Sequence, residues 1–353
     1  MNHQQWQQLL DIIEGKKFDE IPIGFIIDSP WLPGWAGCSL IDYYSSDRIW
    51  LDANFKAINT FPDITFLPGF WSEYGMCTEP SAFGSKMVWS PTNLPHAMKT
   101  ISDISEIDRL TKPNVKTDGM LPFVINRLKN NQQEIQDNGH QIKFAISRGP
   151  LNIASFLMGT TEFLMAMMID PKACHKLLAL VTDFVTDWID WQMTCFSDIE
   201  GILLLDDIIG FVGKKQCQEF VVPYFQKIYK GFDAKVNFLH NDAAGITSAP
   251  FLEEMNVNMF NFSHEHTLTE MKELTGNRIA LLGNIPPRDV LAAGSAEQVA
   301  IEVQKTMASI ADHSRVMLSC GGGMPPDVST ENIRAFQRAC QNGRLNSQNK
   351  SII

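Results

Sequence analysis

His240 and Asp242 stand two residues apart, and Cys320 lies far downstream, just ahead of three glycines. Donors at i and i+2 straddle a strand end, and a third from a later strand leaves one position open around a tetrahedral zinc ion. Zinc held in that way acts as a Lewis acid on a thiol or an ether oxygen. The same residues have a plainer reading, with His240 a polar rim residue, Asp242 a helix cap and Cys320 a small buried thiol. The doublet Asp206-Asp207 offers one carboxylate for a site and one for a cap, so Asp206, Asp207 and Asp242 are the candidate catalytic carboxylates. Arg148, followed by Gly-Pro, either holds an anion or pairs with a carboxylate. His264 and His266 flank Glu265; their spacing on a loop is nonspecific, and His264 is assigned to substrate contact ahead of ligation. Asp28, Trp31, Trp71 and Glu73, with Trp35, Phe70 and Tyr74 beside them, crowd two early loops. Aromatic groups there either cover the core or suit a flat, apolar ligand.

These residues share one property: each sits at or just beyond the end of a short apolar run. The runs are Ile21–Asp28, Asp63–Pro68, Ile142–Arg148, Gly201–Asp206, Lys235–His240, Asn256–Ser263, Arg278–Asn284 and Arg315–Cys320. Continuous apolar runs of this length fit strands buried on both faces, as in a parallel sheet covered by helices. Helical patterns lie between them over Asp170–Met193, Ser295–His313 and Asp327–Asn342, the first opened by Asp-Pro. Repeated strand-helix alternation predicts a (β/α)₈ barrel, with an open doubly wound sheet as the alternative. Against the open sheet, no Gly-rich phosphate loop of GxGxxG or GxxxxGK type follows any run, and Gly321-Gly-Gly lacks the spacing. The expected organisation is one domain over 1–353, decorated by an N-terminal helix over 1–20 and an insertion over 85–138. That insertion should hold a β excursion around Lys86–Ser90 and helices around Ser102–Leu110 and Leu121–Asn138. In a barrel the chemistry gathers at the carboxyl ends of the strands, so the run ends describe one site.

Composition narrows the function. With 29 basic and 40 acidic side chains the net charge is −11, which argues against nucleic acid or an anionic membrane as partner. No apolar run reaches the roughly 18 residues of a spanning helix, and the first residues lack a signal-peptide pattern. Seven cysteines, an odd number without a framework spacing, suit a reducing cytoplasm.

Four segments carry a resemblance. Gly149-Pro-Leu-Asn-Ile-Ala-Ser-Phe-Leu-Met-Gly, Gly283-Asn-Ile-Pro-Pro, Leu318-Ser-Cys-Gly-Gly-Gly-Met-Pro-Pro and Glu79-Pro-Ser-Ala-Phe-Gly resemble motifs of the uroporphyrinogen decarboxylase superfamily. The resemblance implies the same (β/α)₈ fold and one of two chemistries. True decarboxylases of the superfamily remove acetate carboxyls from a tetrapyrrole without a cofactor, holding substrate carboxylates with the arginines of an Arg-Gln-Ala-Gly-Arg motif. The matching place here reads Ile26-Ile-Asp-Ser-Pro-Trp-Leu-Pro-Gly-Trp, without an arginine.

The other branch comprises zinc-dependent methyltransferases that work with corrinoids, including the methylcobamide:coenzyme M enzymes, and this chain looks closer to it. Their His-x-Cys and distant Cys are matched by His240 and Cys320, while Asp242 replaces the middle cysteine. The resemblance therefore implies a zinc site of His240, Asp242 and Cys320, with Glu79 as a further candidate ligand. It also implies a corrinoid carried by a separate partner protein, a small methylated substrate, and a homodimer at the level of the family. A carboxylate in place of a thiolate makes the ion a harder Lewis acid, suited to oxygen or amine substrates. The competing expectations are a cofactor-free tetrapyrrole decarboxylase and a non-catalytic ligand-binding barrel.

Overall fold

Each of the eight runs forms a strand. In the computed structural model, which describes residues 1–90 and 93–348, they are β1 (Gly24–Ile26), β2 (Thr65–Leu67), β3 (Phe144–Arg148), β4 (Gly201–Leu205), β5 (Val236–Asn241), β6 (Met259–Phe262), β7 (Ala280–Ile285) and β8 (Val316–Cys320). The last residues of the expected 1–353 domain, 349–353, lie outside that description. Strands β3 to β8 form one parallel ladder in chain order, and β1 pairs with β2. Ile23 bridges Leu318, whose N–H donates to Pro22 O at 2.8 Å, so β8 runs on to β1.

At the remaining seam, between β2 and β3, no backbone ladder is present and side chains cover the edge of β3. Gln192, from the helix Pro171–Cys195, accepts the Ile146 N–H (3.0 Å) and donates to the Ile146 carbonyl (2.9 Å). A primary amide carries the same donor and acceptor as a peptide, so it stands in for the missing strand. Further up the seam Glu79 Oε1 accepts the Arg148 backbone N–H at 3.0 Å. The edge of β3 that faces β2 is thus satisfied by side chains in place of a strand.

Alternation along the strands separates two apolar layers. Phe144, Leu203, Phe238, Met259, Leu282 and Met317 fill the barrel, while Ile202, Leu204, Leu239, Phe260, Leu281 and Leu318 pack against the helices. The helix His3–Glu14 plugs the bottom: Trp6, Leu9 and Ile12 join the inner layer, and Trp6 meets Phe144 edge-on at 5.5 Å. Each such buried side chain contributes about 1.5–3 kcal/mol relative to exposure.

One expected decoration is corrected. The range 85–138 does hold a hairpin (Met87–Val88 with His96–Ala97) and a 3₁₀ turn at Ile104–Arg109. Its last part, the helix Leu121–Asp137, is instead the crossover from β2 to β3 that a parallel pair requires. Among the described residues no single helix is long and apolar enough to cross a membrane.

Candidate functional site

The inward series of each strand continues into its loop, which decides what reaches the barrel mouth. On β5 the inward residues are Val236 and Phe238, so His240 and Asp242 follow them inward. On β4 Leu203 and Leu205 point in, so Asp207 faces the mouth and Asp206 turns out. A cavity of 640 Å³ opens there, lined among others by Asp28, Trp71, Glu73, Arg148, Asp207, His240, Asp242 and His264.

Asp207, His240 and Asp242 each offer one ligand atom, and these atoms lie within 4.8 Å of one another. His240 Nε2 is 3.2 Å from Asp242 Oδ1, and the Asp242 N–H donates to Asp207 Oδ1 at 2.7 Å. Behind the ring, His240 Nδ1 is 2.7 Å from Asn261 Oδ1. Asn261 turns its amide nitrogen to the carbonyls of Leu282 (2.8 Å) and Cys320 (3.4 Å), so its oxygen faces the imidazole. His240 Nδ1 then donates its N–H to Asn261, and Nε2 is the ring atom that faces the two carboxylates, the atom a metal-bound imidazole would use. Burial pushes the Asp242 carboxyl above its ordinary range, His240 pulls it back, and Asp207 adds to the rise. Two carboxylates and one imidazole crowded together in this way fit a divalent cation.

The glycines after β8 serve this group. Gly322 has φ +86°, and a Cβ there would collide with the Asp242 carboxylate, while the Gly323 N–H donates to Asp242 Oδ1 at 3.2 Å. Gly322 and Gly323 therefore cradle Asp242, while Gly321 lies against His264.

Across the cavity stands a second charged set. Arg148 Nη2 donates to Glu73 Oε2 at 2.8 Å, and the guanidinium lies 5.5 Å from the centre of the Trp71 ring. Although burial opposes its charge, Glu73, Glu79 and Asp28 together hold Arg148 above its ordinary range. Asp28 is raised well above the carboxylate range, first by burial and then by Glu73, to which it is hydrogen bonded.

Four of the expected site residues lie elsewhere. Cys320 ends β8 in the outer series with Val316 and Leu318, packs in the outer layer, and forms no such donor group with His240 and Asp242. Burial pushes its thiol up to about 12. It is Asp207 that stands beside His240 and Asp242. Glu79 is buried in the barrel seam, where Oε1 accepts the Arg148 N–H, so it does not reach the donor group. Trp31 is buried beneath the loop, donating to Val328 O (2.9 Å) and stacking on Trp35 at 4.8 Å. Asp206, the outward half of its doublet, accepts from the N–H groups of Leu151 (2.9 Å), Asn152 (3.1 Å) and Ile208 (3.2 Å). It caps the helix Pro150–Met158, and a Cβ on Gly149 would displace it. Asp206 is fully buried and is not among the residues that line the cavity. His264 reaches the cavity, whereas His266 turns to Glu270 at 3.5 Å.

Asp206→Ala leaves three buried N–H groups without an acceptor and is expected to destabilise the fold by about 2–4 kcal/mol in urea unfolding. Burial pushes the Asp206 carboxyl up to about 8 against the pull of those N–H groups. Between pH 4 and pH 8 the folded chain keeps this proton and the unfolded chain loses it, so this group's contribution to stability falls as pH rises through that window. Asp206→Asn should remove that slope, as thermal unfolding at pH 5 and pH 8 would show.

With the barrel and its mouth described, comparison with known proteins fixes the class. The uroporphyrinogen decarboxylase (URO-D) family model matches residues 5–343, and the chain belongs to that family. It is 24% identical to the uroporphyrinogen decarboxylase of Pseudomonas syringae pv. tomato over 74% of this chain and 75% of the relative. The enzyme of that name from Mannheimia succiniciproducens is 22% identical over 73% of this chain and 74% of the relative. Among solved structures, a methyltransferase from Methanosarcina mazei superposes with TM-score 0.79 at 16% identity, covering 96% of this chain and 98% of that one. A B12-independent methionine synthase from Shewanella sp. W3-18-1 superposes with TM-score 0.55 at 12% identity, covering 94% and 99%.

Proposed function

We propose that this family member is a cytoplasmic, zinc-dependent methyltransferase that takes a methyl group from a small methylated ether or amine and passes it to a corrinoid on a separate protein. The observation that carries the reading is the convergence of Asp207, His240 and Asp242 at the open end of the barrel. These three residues would hold the ion, which when bound supplies Lewis acidity at the heteroatom that loses the methyl group. With imidazole and carboxylate donors and no thiolate, the site favours oxygen or nitrogen over a soft thiol. Asn261 keeps the imidazole in its ligand tautomer, and Gly322 and Gly323 fix the Asp242 carboxylate. Trp71 and the buried Arg148–Glu73 pair form the opposite wall, a charge-balanced surface for a small substrate. The fold likeness to a methyltransferase supports the same reading.

The decarboxylase alternative meets a specific obstacle. A polycarboxylate substrate needs free cations, and the cavity is lined by two arginines, Arg148 and Arg288, of which Arg148 is already bound to Glu73. The test supplies purified protein with zinc, cob(I)alamin and either a methoxyarene or a methylamine, and in parallel with uroporphyrinogen. Zinc-dependent growth of the methylcobalamin spectrum with the ether or amine is expected. Metal-independent release of carbon dioxide from uroporphyrinogen would overturn the proposal.

A further inference from the structure

We propose that Arg127 is a positioning residue that locks the loop after β2 from outside the barrel. It thereby fixes Trp71 and Glu73 in the cavity wall and sets how tightly the substrate is held there. The effect on the substrate rests on the methyl-transfer reading above; the clamp on the loop does not.

Arg127 lies on the helix Leu121–Asp137, the crossover from β2 to β3, and is 1% exposed. It does not line the cavity. A buried guanidinium is costly unless its charge and its N–H groups find partners. Here Nε donates to Asp47 Oδ1 at 3.2 Å and Nη2 donates to the Tyr44 carbonyl. Aromatic rings take up the rest of its surroundings. The guanidinium carbon is 4.9 Å from the centre of the Tyr74 ring and 5.6 Å from that of Trp50. An arginine so placed is attracted by the ring electrons, and more strongly where water is excluded. Both rings belong to the mechanics of the loop. Trp50 Nε1 donates to the Trp71 carbonyl at 3.1 Å, and Tyr74 follows Glu73 directly in the chain. The grip therefore reaches Trp71 through one ring and Glu73 through the other.

The loop is packed closely by its other neighbours too. Tyr44 stacks on Tyr74 at 5.9 Å, and Trp89, just past the strand Met87–Val88, meets both tyrosines edge-on at 5.5 Å and 6.4 Å. Gly75 has φ +62°, and a Cβ there would fall 3.2 Å from Tyr44 Oη and 3.1 Å from the Pro95 ring. Thr78 Oγ1 accepts the Tyr74 N–H at 2.8 Å. A loop with this little slack keeps its shape, so the wall it carries is formed before a ligand arrives. A preformed wall spares the substrate the cost of ordering it, a gain shared by ground state and transition state. Loss of the clamp then raises KM and leaves kcat nearly unchanged.

Two variants of the full chain test this. Arg127→Met keeps most of the stem and removes the charge, and Trp89→Ala changes a side chain that is 41% exposed, where the fold is not at stake. Hydrogen exchange of the substrate-free proteins is followed by mass spectrometry in peptides covering 68–78 and 236–242. Exchange in 68–78 should quicken about tenfold in Arg127→Met and about threefold in Trp89→Ala, with 236–242 unchanged. No change in 68–78, or an equal rise in both segments, would overturn the clamp. In the zinc and cob(I)alamin assay with a methoxyarene, KM should rise by those same factors, and kcat should stay within about twofold. Arg127→Lys should recover part of the loss. A fall in kcat at unchanged KM, or unchanged kinetics with a loosened loop, would overturn the role in substrate binding. If the exchange pattern holds but wild type transfers no methyl group, the methyl-transfer reading falls, the role in substrate binding falls with it, and the clamp stands.

Discussion

His240→Ala is expected to strip the protein of bound zinc and to lower methyl transfer by at least about 10³-fold, which corresponds to roughly 4 kcal/mol of transition-state stabilisation. The size follows from the arrangement around the ring. His240 is the one neutral nitrogen donor in the group, and its orientation is held from behind by Asn261 at 2.7 Å. Without it, Asp207 and Asp242 remain as two facing carboxylates with no third donor to define a site. The fold should survive, since β5 keeps its backbone ladder to β4 and β6. Circular dichroism alongside the kinetic assay separates the two effects, and a folded variant with near wild-type turnover would refute the assignment of His240.

Arg148→Leu should be the most damaging change to stability, at about 3–5 kcal/mol, because it leaves buried carboxyls without their cation. Arg148 is 8% exposed and its guanidinium faces Glu73 while its own backbone N–H is held by Glu79. Arg148→Lys should recover only part of the loss, since an ammonium cannot keep both the Glu73 hydrogen bond and the place of the guanidinium over the Trp71 ring. By contrast, an exposed pair such as Lys305–Glu302, at 3.1 Å, should contribute under about 1 kcal/mol. Urea unfolding of the three variants measures the ordering. A cost for Arg148→Leu no larger than that of the surface pair would mean that the β2–β3 seam does not depend on this residue.

The eight strands were legible because each is buried on both faces and so reads as an unbroken apolar run. The site was half legible for a related reason. Run ends mark the barrel mouth, which is how Asp28, Arg148, Asp207, His240 and Asp242 stand out, but a run end alone does not say which way a side chain points. Counting in twos from the inward residues does: from Leu205 to Asp207, from Phe238 to His240, from Met259 to Asn261. The same count sends Asp206 and Cys320 outward, and it would have found Asn261, which carries no reactive group and so drew no notice. Other features had no local signal. That Gln192 and Glu79 complete the edge of β3 depends on a helix and a loop far away in sequence meeting one strand. The helix Leu121–Asp137 looked like part of an insertion because a hairpin and a 3₁₀ turn precede it. Only the requirement that parallel neighbours be joined by a crossover assigns it to the barrel.

The most direct test of the metal assignment is zinc content per chain, by elemental analysis after dialysis, in wild type, His240→Ala, Asp207→Asn and Cys320→Ser. One zinc per chain in wild type and in Cys320→Ser, with little in the other two, is the result expected of an Asp207–His240–Asp242 site. Zinc retained in Asp207→Asn and lost in Cys320→Ser, or none in wild type, would contradict it.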